Sequence, residues 1–449
     1  MHQNQRPLLH QQLKNKKNRM SENSAKSREA LECIQLAEIQ KLLKVILSTN
    51  VFYKRKLNNT KLCKNVGSLD IFRDQCPLTT KSELALDHQE NSPFGSNLSF
   101  PIENYSHAHK TSGTSGQPIT WLDTGESWQW MVDSWCEIFK SSGVNSKDRI
   151  FFAFSFGPFI GFWLAFEAGK KLKALNIPGG GLSSTSRLKS IFMHKANVLC
   201  CTPTYALRLA EVARAEGIDL SESPIQSIIV AGEPGGSIPS TRKALEKAWP
   251  NATIFDHHGM TEVGPVTYQC PDKPGLLHVL ENAYLPEIID TKTHKVVNDN
   301  ETGELVLTTL GRHGSPLLRY RTGDLVKASK NKKCTCGTFN LGLEGGILGR
   351  ADDMVVIRGV NVYPSAVEEI IRRVGGISEY QVNLIHKNAL AEISISVESE
   401  DNNNKEITEK LSNAFQESLS LRVPIKIVET NSLPRFELKA QRWIKQKPN

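Results

Sequence analysis

Short apolar runs alternate with helix-like stretches through the middle of the 449-residue chain. Four such runs, each bounded by Gly, Pro or polar residues, are Ile150–Phe154, Val198–Cys201, Ser227–Val230 and Ala252–Phe255. Their length fits buried strands, and a stretch with helical spacing of its apolar residues, Tyr205–Ala215, lies between two of them. This alternation predicts an α/β fold built on a mainly parallel, doubly wound sheet.

The segments on either side of this alternation have different patterns. Apolar residues from Ser27 to Leu57 recur mostly at steps of three and four, which predicts helix. A β-rich section follows the predicted sheet and is expected to hold two strand pairs, 287–289 with 295–297 and 304–308 with 324–327. The last hundred residues combine short strands with two helices, which predicts a small α+β domain.

The expected domain boundary is the short polar link Gly349–Asp353. It divides the chain into a large domain, residues 27–348, and a small domain, residues 349–449. Residues 1–26 are basic, rich in Gln and Asn, and too poor in apolar residues to fold alone. We interpret them as a flexible, solvated tail, with a nucleic-acid role as the alternative.

Composition excludes several classes of protein. The longest apolar stretch, Phe151–Phe166, is shorter than the roughly 20 residues of a membrane-spanning helix and contains Gly and Pro. No apolar segment follows the basic residues at the N-terminus, which argues against a signal peptide. The nine cysteines are odd in number, which indicates reduced thiols in a chain without such a signal. We expect a cytoplasmic protein without nucleic-acid or membrane partners.

A run of Gly, Ser and Thr stands out in His109–Thr120, which reads HKTSGTSGQPIT. Two glycines let a ligand approach bare backbone, and hydroxyls with amides supply donors to phosphate oxygens. No Gly-Lys-Ser/Thr follows at the spacing of a Walker A loop. The segment is a candidate phosphate loop, with a flexible loop of small polar residues as the alternative.

Three further segments place polar side chains near the ends of predicted strands. Phe255–Val266, FDHHGMTEVGPV, offers His258 for stacking on a base and Glu262 for holding Mg²⁺. Asp324 follows a glycine turn, where its carboxylate can accept hydrogen bonds from ribose hydroxyls. Gly349–Pro364 brings paired aspartates to the expected domain link. Taken singly, each segment could also be a turn with a salt bridge or a capping histidine.

The order and spacing of these segments resemble those of the adenylate-forming superfamily of acyl-CoA synthetases, adenylation domains and luciferases. The resemblance is specifically to the phenylacetate–CoA ligase family and runs from about Leu31 to the C-terminus. It is carried by the phrases FYKRKL, PLTTKSEL, TSGTSG, CTPTYALRLAEVA, LPEIID, LLRYRTGDL, LGRADDMVVIRGVNVYPSAVEEI and LPRFELKAQR. It implies a large AMP-binding domain with doubly wound sheets and a β-rich subdomain, followed by a small mobile C-terminal domain.

The resemblance also implies roles for individual residues. The phosphate loop would comprise Thr111, Ser112, Gly113, Thr114, Ser115 and Gly116. The other residues matched to nucleotide binding are Ala231, Gly232 and Glu233 along the adenine, His258 and Gly259, Thr261 at the α-phosphate, Asp324 at the ribose, and Arg350. Those matched to catalysis are Thr261, Glu262 as the Mg²⁺ ligand, Asp352 as the hinge, and Lys439 at the carboxylate and α-phosphate.

The family's chemistry implies ATP, Mg²⁺, coenzyme A and a small carboxylic acid. The carboxylate attacks the α-phosphorus of ATP to give an acyl-adenylate, and the thiol of coenzyme A then displaces AMP. An aryl-acetic or similar acid is expected, with Phe151–Phe166 and Gly179–Gly181 lining its pocket. The alternatives are transfer to a carrier protein, an amine or a hydroxyl, and nucleotide binding without turnover. A homodimer is left open.

Three positions depart from the family pattern. His258 replaces a Tyr, Gln117 stands where the phosphate loop often has a Lys, and Leu438 precedes Lys439 where Gly is common. The imidazole keeps a flat ring for adenine but makes stacking sensitive to protonation. We expect these changes to affect the catalytic rate without abolishing the site.

Cysteine spacing indicates a second metal site. Cys334 and Cys336 form a CxC pair before Gly337, and Cys270 precedes His278 by eight residues. Three thiolates and one imidazole make a complete tetrahedral set for a structural Zn²⁺. The alternative is two unrelated surface loops with free thiols.

Overall fold

The computed structural model describes most of the chain, namely residues 25–63, 66–111, 118–298, 300–330, 333–358, 360–387, 390–400, 404–436 and 440–445. Three sequence predictions fall outside these residues: nearly all of the basic tail, loop residues 112–117, and Lys439. None of the described helices is both long enough and apolar enough to cross a membrane.

Helices form the N-terminal part of the chain: α1 (Arg28–Thr49), α2 (Val51–Leu57), α3 (Leu69–Gln75) and α4 (Lys81–Glu90). The Ser27 side chain caps α1 by accepting a hydrogen bond from the Ala30 amide at 3.1 Å. The single helix predicted over Ser27–Leu57 is two helices, because the buried Asn50 ends α1 and its side chain caps α2. Short 3₁₀ turns occur at Lys61–Cys63, Ile102–Asn104 and Leu220–Glu222.

A hairpin and a five-stranded sheet follow. The elements are β1 (Tyr105–Lys110), β2 (Thr120–Thr124), α5 (Gly125–Ser141), β3 (Arg149–Phe152), α6 (Ile160–Lys171), β4 (Leu175–Pro178), α7 (Ser184–Met193), β5 (Val198–Cys201), α8 (Pro203–Ala215), β6 (Ser227–Val230), α9 (Pro239–Ala248) and β7 (Thr253–Asp256). The sheet order is β4-β3-β5-β6-β7, and all its pairs are parallel. The four predicted strands are thus confirmed, with shifts at the ends of the first and last.

Two apolar cores lie on opposite faces of this sheet. Ile150 and Phe152 of β3 pack into one core with α5 and α6, whereas Phe151 and Ala153 pack into the other with α7, α8 and α9. Successive side chains of a strand point to opposite faces, so a strand buried on both sides is apolar throughout. This arrangement confirms the doubly wound α/β fold.

The β-rich section comprises small sheets. Its strands are β8 (Gly259–Met260), β9 (Gly264–Pro265), β10 (Thr267–Gln269), β11 (Leu276–Val279), β12 (Tyr284–Ile289), β13 (Thr302–Thr309), β14 (Tyr320–Lys327), β15 (Gly342–Glu344) and β16 (Gly349–Arg350). They pair as β8-β9, β10-β11-β15 and β12-β13-β14-β16. The strands predicted at 304–308 and 324–327 do pair, as parts of β13 and β14, but residues 302–304 lie opposite 325–327 and residues 306–307 lie opposite 320–321. The other predicted pair is reduced to a bridge between Ile289 and Val296, because β12 pairs along its length with β13.

The C-terminal part is an α+β unit with its own apolar core, as predicted. Its elements are β17 (Val355–Ile357), β18 (Val360–Val362), α10 (Pro364–Val374), β19 (Ile377–Lys387), β20 (Leu390–Ser399), α11 (Asn404–Leu419), β21 (Ile425–Val428) and β22 (Trp443–Lys445). The sheet order is β18-β17-β20-β19-β22, with β21 also paired to β20. At the predicted boundary, Gly349 and Arg350 still pair with β14, and the C-terminal core begins at Ile357.

Candidate active site

A cavity of about 1880 Å³ lies at the carboxyl ends of the parallel strands. Phe154, Thr202, Ala231 and His257, which follow β3, β5, β6 and β7, all line it. The order of the strands reverses between β3 and β5, and the crevice at such a switch point is where open α/β sheets bind ligands. The C-terminal unit closes the cavity with residues that include Tyr380 and Arg442.

Asp324 lies at the centre of a buried polar cluster beside the cavity. Its side chain is 2 % exposed, and one carboxylate oxygen accepts a hydrogen bond from Arg350 Nη1 at 3.1 Å. The other oxygen lies 2.9 Å from His258 Nε2, although the alignment is not that of a hydrogen bond. The left-handed backbone of Gly323, with φ of +77°, turns the chain into this position. The structure therefore brings together the residues predicted for ribose and adenine.

Arg350 links Asp324 to the start of the C-terminal unit. Its guanidinium donates to both carboxylate oxygens of Asp352 at 2.8 and 2.9 Å. Burial lowers the pKa of Arg350, but the hydrogen bonds and charges of Asp352 and Asp324 more than offset that effect and raise it. The guanidinium is a fixed positive charge at the cavity rim, next to the predicted hinge residue.

Glu262 presents a carboxylate to the cavity from a turn that buried residues hold rigidly. Arg312 Nη1 donates to the backbone carbonyls of Thr261 and Glu262 at 2.9 and 2.7 Å. The same guanidinium forms a fully buried double hydrogen bond with Asp123, both at 2.7 Å. Lys81, the first residue of α4, places its ammonium 3.4 Å from Glu262 Oε1 and also lines the cavity. An acid and a cation thus face the same space.

Glu233 connects the adenine segment to the C-terminal strand region. One carboxylate oxygen accepts from the Thr204 amide at 2.9 Å, and the other accepts from the Ala440 amide at 2.8 Å. Arg442, two residues further on, forms a buried pair with Glu379 at 2.6 Å. The chain that follows Lys439 is therefore anchored at the cavity, although Lys439 itself lies outside the described residues.

The described ends of the predicted phosphate loop are clamped together. Two hydrogen bonds join Thr111 and Ile119. The Thr111 amide donates to the Ile119 carbonyl at 3.1 Å, and the Ile119 amide donates to Thr111 Oγ1 at 3.0 Å. Both residues are buried and line the cavity. Residues 112–117 between these ends are outside the described part of the chain, so their predicted role stays a prediction.

An aromatic cleft forms another wall of the cavity. Phe154 and Phe162 stack with ring centroids 4.1 Å apart, and Phe159 and Trp135 also line the space. This agrees with the pocket predicted from Phe151–Phe166. The predicted glycines are not among the lining residues, because Gly179 packs against the Phe151 ring and Gly180 against Phe156.

The four predicted zinc ligands converge away from this cavity. One ligand atom from each of Cys270, His278, Cys334 and Cys336 lies within 4.8 Å of the others. Two of these separations are 3.6 Å, between the sulfurs of Cys270 and Cys334, and 3.5 Å, between Cys336 Sγ and His278 Nε2. Gly337, with φ of +96°, closes the turn that carries the CxC pair.

The surroundings of the cluster favour metal binding. His278 Nδ1 lies 3.2 Å from the Asn340 carbonyl, and donation to that oxygen leaves Nε2 with a free lone pair facing the sulfurs. The interaction between the two thiols lowers the pKa of Cys270 and raises that of Cys336, so Cys270 is the one that loses its proton more readily. A thiolate is the form of cysteine that binds metals.

Two functional side chains were missed by the sequence analysis. Lys81 lies in the phrase PLTTKSEL, which was noted for its resemblance but given no role. Arg312 has no local motif, and its partner Asp123 is 189 residues away. Cys200 and Cys201, in the predicted buried strand Val198–Cys201, are both buried in β5, and burial raises the pKa values of their thiols.

Comparison with known proteins identifies the family to which the chain belongs. The model of the family described as AMP-binding enzyme matches residues 43–311, and that of the AMP-binding enzyme C-terminal domain matches residues 359–447. A phenylacetate-coenzyme A ligase of Thermus thermophilus is 29% identical, covering 83% of this chain and 82% of the relative. One of Escherichia coli K12 is 28% identical, covering 92% and 94%.

Solved structures share the fold. A 2-hydroxyisobutyryl-CoA ligase in the postadenylation state with 2-HIB-AMP superposes with a TM-score of 0.89 at 24% identity, covering 94% of this chain and 91% of that one. The same ligase with 2-HIB-AMP and CoA in the thioesterification state gives a TM-score of 0.71. The two family matches together span both parts of the fold, and the chain belongs to the AMP-binding enzyme family.

Proposed function

We propose that the protein is an AMP-forming acid–thiol ligase. It converts a carboxylic acid and ATP to an acyl-adenylate and pyrophosphate, and then transfers the acyl group to coenzyme A with release of AMP. The observation that carries the proposal is a single cavity whose walls include both the charged side chains of Glu262 and Arg350 and the aromatic cleft around Phe154. A nucleotide and an aryl or alkyl acid can meet there.

The polar side of the cavity suits ATP. Asp324 accepts hydrogen bonds from the ribose hydroxyls, and Ala231–Glu233 lies along the adenine. His258 offers a flat ring beside Asp324, where it packs against the base. Arg350 supplies a positive charge next to the nucleotide. These roles are supported by position: Ala231–Glu233 and Arg350 line the cavity, Asp324 is hydrogen bonded to Arg350, and His258 lies 2.9 Å from Asp324.

Glu262 fits the role of Mg²⁺ ligand. Its carboxylate is 7 % exposed and lines the cavity, and Mg²⁺ is typically bound by one or two carboxylates together with substrate phosphates. When bound, the ion neutralises charge that develops on the phosphate oxygens. Thr261 contributes a hydroxyl to the same region, and Lys81 supplies a second cation there. The phosphate loop 112–116 and Lys439 complete the proposed set.

The second half-reaction needs a different arrangement of the small domain. We place the domain limits at 27–348 and 349–449, with Asp352 as the hinge. Asp352 is about half exposed, so a change in its backbone disrupts little packing. The contact of Glu233 with Ala440 holds the present arrangement, which superposes better on a postadenylation than on a thioesterification structure. Rotation about Asp352 would withdraw Lys439 and admit the thiol of coenzyme A.

We also propose that the Cys270, His278, Cys334 and Cys336 cluster holds a structural Zn²⁺. With Zn–S of ~2.3 Å and Zn–N of ~2.0 Å, a tetrahedron has S–S edges of ~3.8 Å and S–N edges of ~3.5 Å. The Cys270–Cys334 and Cys336–His278 separations of 3.6 and 3.5 Å are close to these edges. Four protein ligands leave no open position for water, so the site stabilises and does not catalyse. Thiolate ligands also agree with the proposed cytoplasmic location.

Pyrophosphate release tests the proposed function. Protein, ATP and Mg²⁺ are incubated with a panel of aryl and alkyl carboxylic acids, with and without coenzyme A. Acid-dependent pyrophosphate and a thioester formed only with coenzyme A support the proposal. Pyrophosphate without thioester indicates another acceptor, such as a carrier protein. ATP binding without acid-dependent pyrophosphate indicates a nucleotide-binding protein without turnover.

A further inference from the structure

His257 is a buried imidazole that the reaction described above does not use. Its side chain lines the cavity, yet the residue is only 6 % exposed. Neither ring nitrogen has a hydrogen-bond partner among the described residues. Buried side-chain donors and acceptors are nearly always satisfied, and leaving one unsatisfied is destabilising. A ligand group is one way to satisfy one of these nitrogens.

The position of His257 assigns it to the acyl end of the cavity. The neighbouring residue, His258, extends towards Asp324 at the nucleotide end. The ring of His257 instead packs edge-on against Trp135, with centroids 4.4 Å apart and an interplanar angle of 73°. Trp135 and Phe162 both line the cavity. β8 begins two residues after His257 and contacts α6, the helix that carries Phe162. His257 is thus a polar group next to the aromatic cleft.

Two contacts fix the ring in place. The His257 amide donates to the Val230 carbonyl at 3.2 Å, which holds the backbone against the end of β6. Trp135 packs against the ring itself. Burial lowers the pKa of His257 to about 3. This effect outweighs a polar contact with the His258 backbone, which raises the pKa but does not have hydrogen-bond geometry. A neutral imidazole carries one N–H donor and one acceptor nitrogen, so it can pair with a group that does both.

We propose that His257 determines substrate specificity by hydrogen bonding to a hydroxyl group on the acyl part of the substrate. The preferred acid is then a hydroxylated aryl acid, whose ring packs in the aromatic cleft and whose hydroxyl meets the imidazole. This proposal rests on the proposed function, because it places an acyl group in the cleft. The hydroxyl group is a substituent that the aromatic walls alone would not select.

Binding of matched acyl-adenylate analogues tests this inference without requiring turnover. The probes are phenylacetyl-sulfamoyl-adenosine and its three monohydroxylated ring isomers, with dissociation constants measured by calorimetry. The wild-type protein should bind at least one hydroxylated isomer on the order of tenfold more tightly than the parent, the scale for one buried hydrogen bond. His257→Phe keeps a flat buried ring and should bind all four within about twofold. His257→Asn retains a donor and an acceptor and should keep part of the preference.

The outcomes separate the two proposals. If the wild-type protein binds all four analogues equally, or if His257→Phe retains the preference, the role of His257 is wrong while the proposed function stands. If none of the four binds, the inference is wrong, and the proposed function is decided separately by acid-dependent pyrophosphate release with the wider panel of acids. Thermal unfolding of each variant shows whether it is folded, and His257→Asn decides the question if His257→Phe does not fold.

Discussion

The double substitution Cys334→Ser, Cys336→Ser tests the proposed zinc site. It removes two of the four ligands and leaves Cys270 and His278, which cannot hold a structural zinc alone. Cys270 and Cys334 are 64 residues apart in the chain. If the metal stays bound in the unfolded chain, it closes a loop of that length and lowers the conformational entropy of the unfolded chain. That effect stabilises the folded state by roughly 4 kcal/mol. We expect the melting temperature to fall by roughly 5–10 °C.

The assay combines metal content with unfolding. Elemental analysis of protein purified without a metal-binding tag should find about one zinc per wild-type chain and little in the variant. Calorimetry then gives the two melting temperatures. Cys33→Ser is the matched control, because Cys33 is an exposed free thiol on α1 and lies outside the cluster. It should retain both the zinc and the melting temperature.

Acidification gives an independent readout of the same site. Cysteine thiols must lose their protons to bind zinc. The metal should therefore be released as the pH falls, and the stability that it contributes is lost in that direction. A wild-type protein that is free of metal, with Cys270, Cys334 and Cys336 all open to thiol reagents, would refute the zinc site. Equal melting temperatures for wild type and double variant would refute its stabilising role.

Three further substitutions test the proposed active site. Glu262→Gln keeps the size but removes the charge, so turnover and the Mg²⁺ requirement should change while the melting temperature does not; an unchanged requirement places the metal elsewhere. Lys439→Ala should slow acid-dependent pyrophosphate release by on the order of 10²–10³, the scale for one transition-state contact, and should spare thioester formation from synthetic acyl-adenylate; equal loss in both steps contradicts its role. Lys81→Met should raise the KM for ATP more than that for the acid, measured by initial rates, whereas an equal effect on both indicates a structural role.

The sequence predicted the sheet well because its strands are buried on both faces and are therefore apolar throughout. The end of β3 was misplaced: the predicted run reaches Phe154, but the strand ends at Phe152. The apolar run continues past the strand because Phe154 lines the cavity with its ring. The run of apolar residues indicates that the segment is buried, but it does not show whether the segment is a strand or lines a cavity.

Local chemistry decided which site residues could be predicted. The convergence of the four proposed zinc ligands could be predicted because few residue types bind that metal, and their spacing restricted the set. Arg312 could not be found in this way, since an arginine that donates to the carbonyls of Thr261 and Glu262 leaves no pattern in the neighbouring sequence. Lys81 reaches Glu262 only because α4 begins at the cavity. Such pairings depend on tertiary packing.

The contacts around the site fall into two groups that differ in burial. Asp123 and Arg312 are fully buried, and they hold the turn that carries Glu262. Removing one member of such a pair leaves a buried charge without its partner and destabilises the fold by about 3–5 kcal/mol. This part of the site is therefore rigid. By contrast, Arg350 and Asp352 at the predicted hinge are about one-third and one-half exposed.

Exposed ion pairs contribute at most about 1 kcal/mol each, so the hinge contacts can be exchanged at little cost. The small domain also touches the large one through part-buried hydrogen bonds, including Ser240 Oγ to Glu369 at 2.6 Å and the Ala440 amide to Glu233 at 2.8 Å. A rotation that breaks these contacts leaves the Asp123–Arg312 pair and the Glu262 turn unchanged. The fold therefore permits the proposed nucleotide site to stay fixed while the proposed small domain takes two arrangements, which is what a two-step ligase requires.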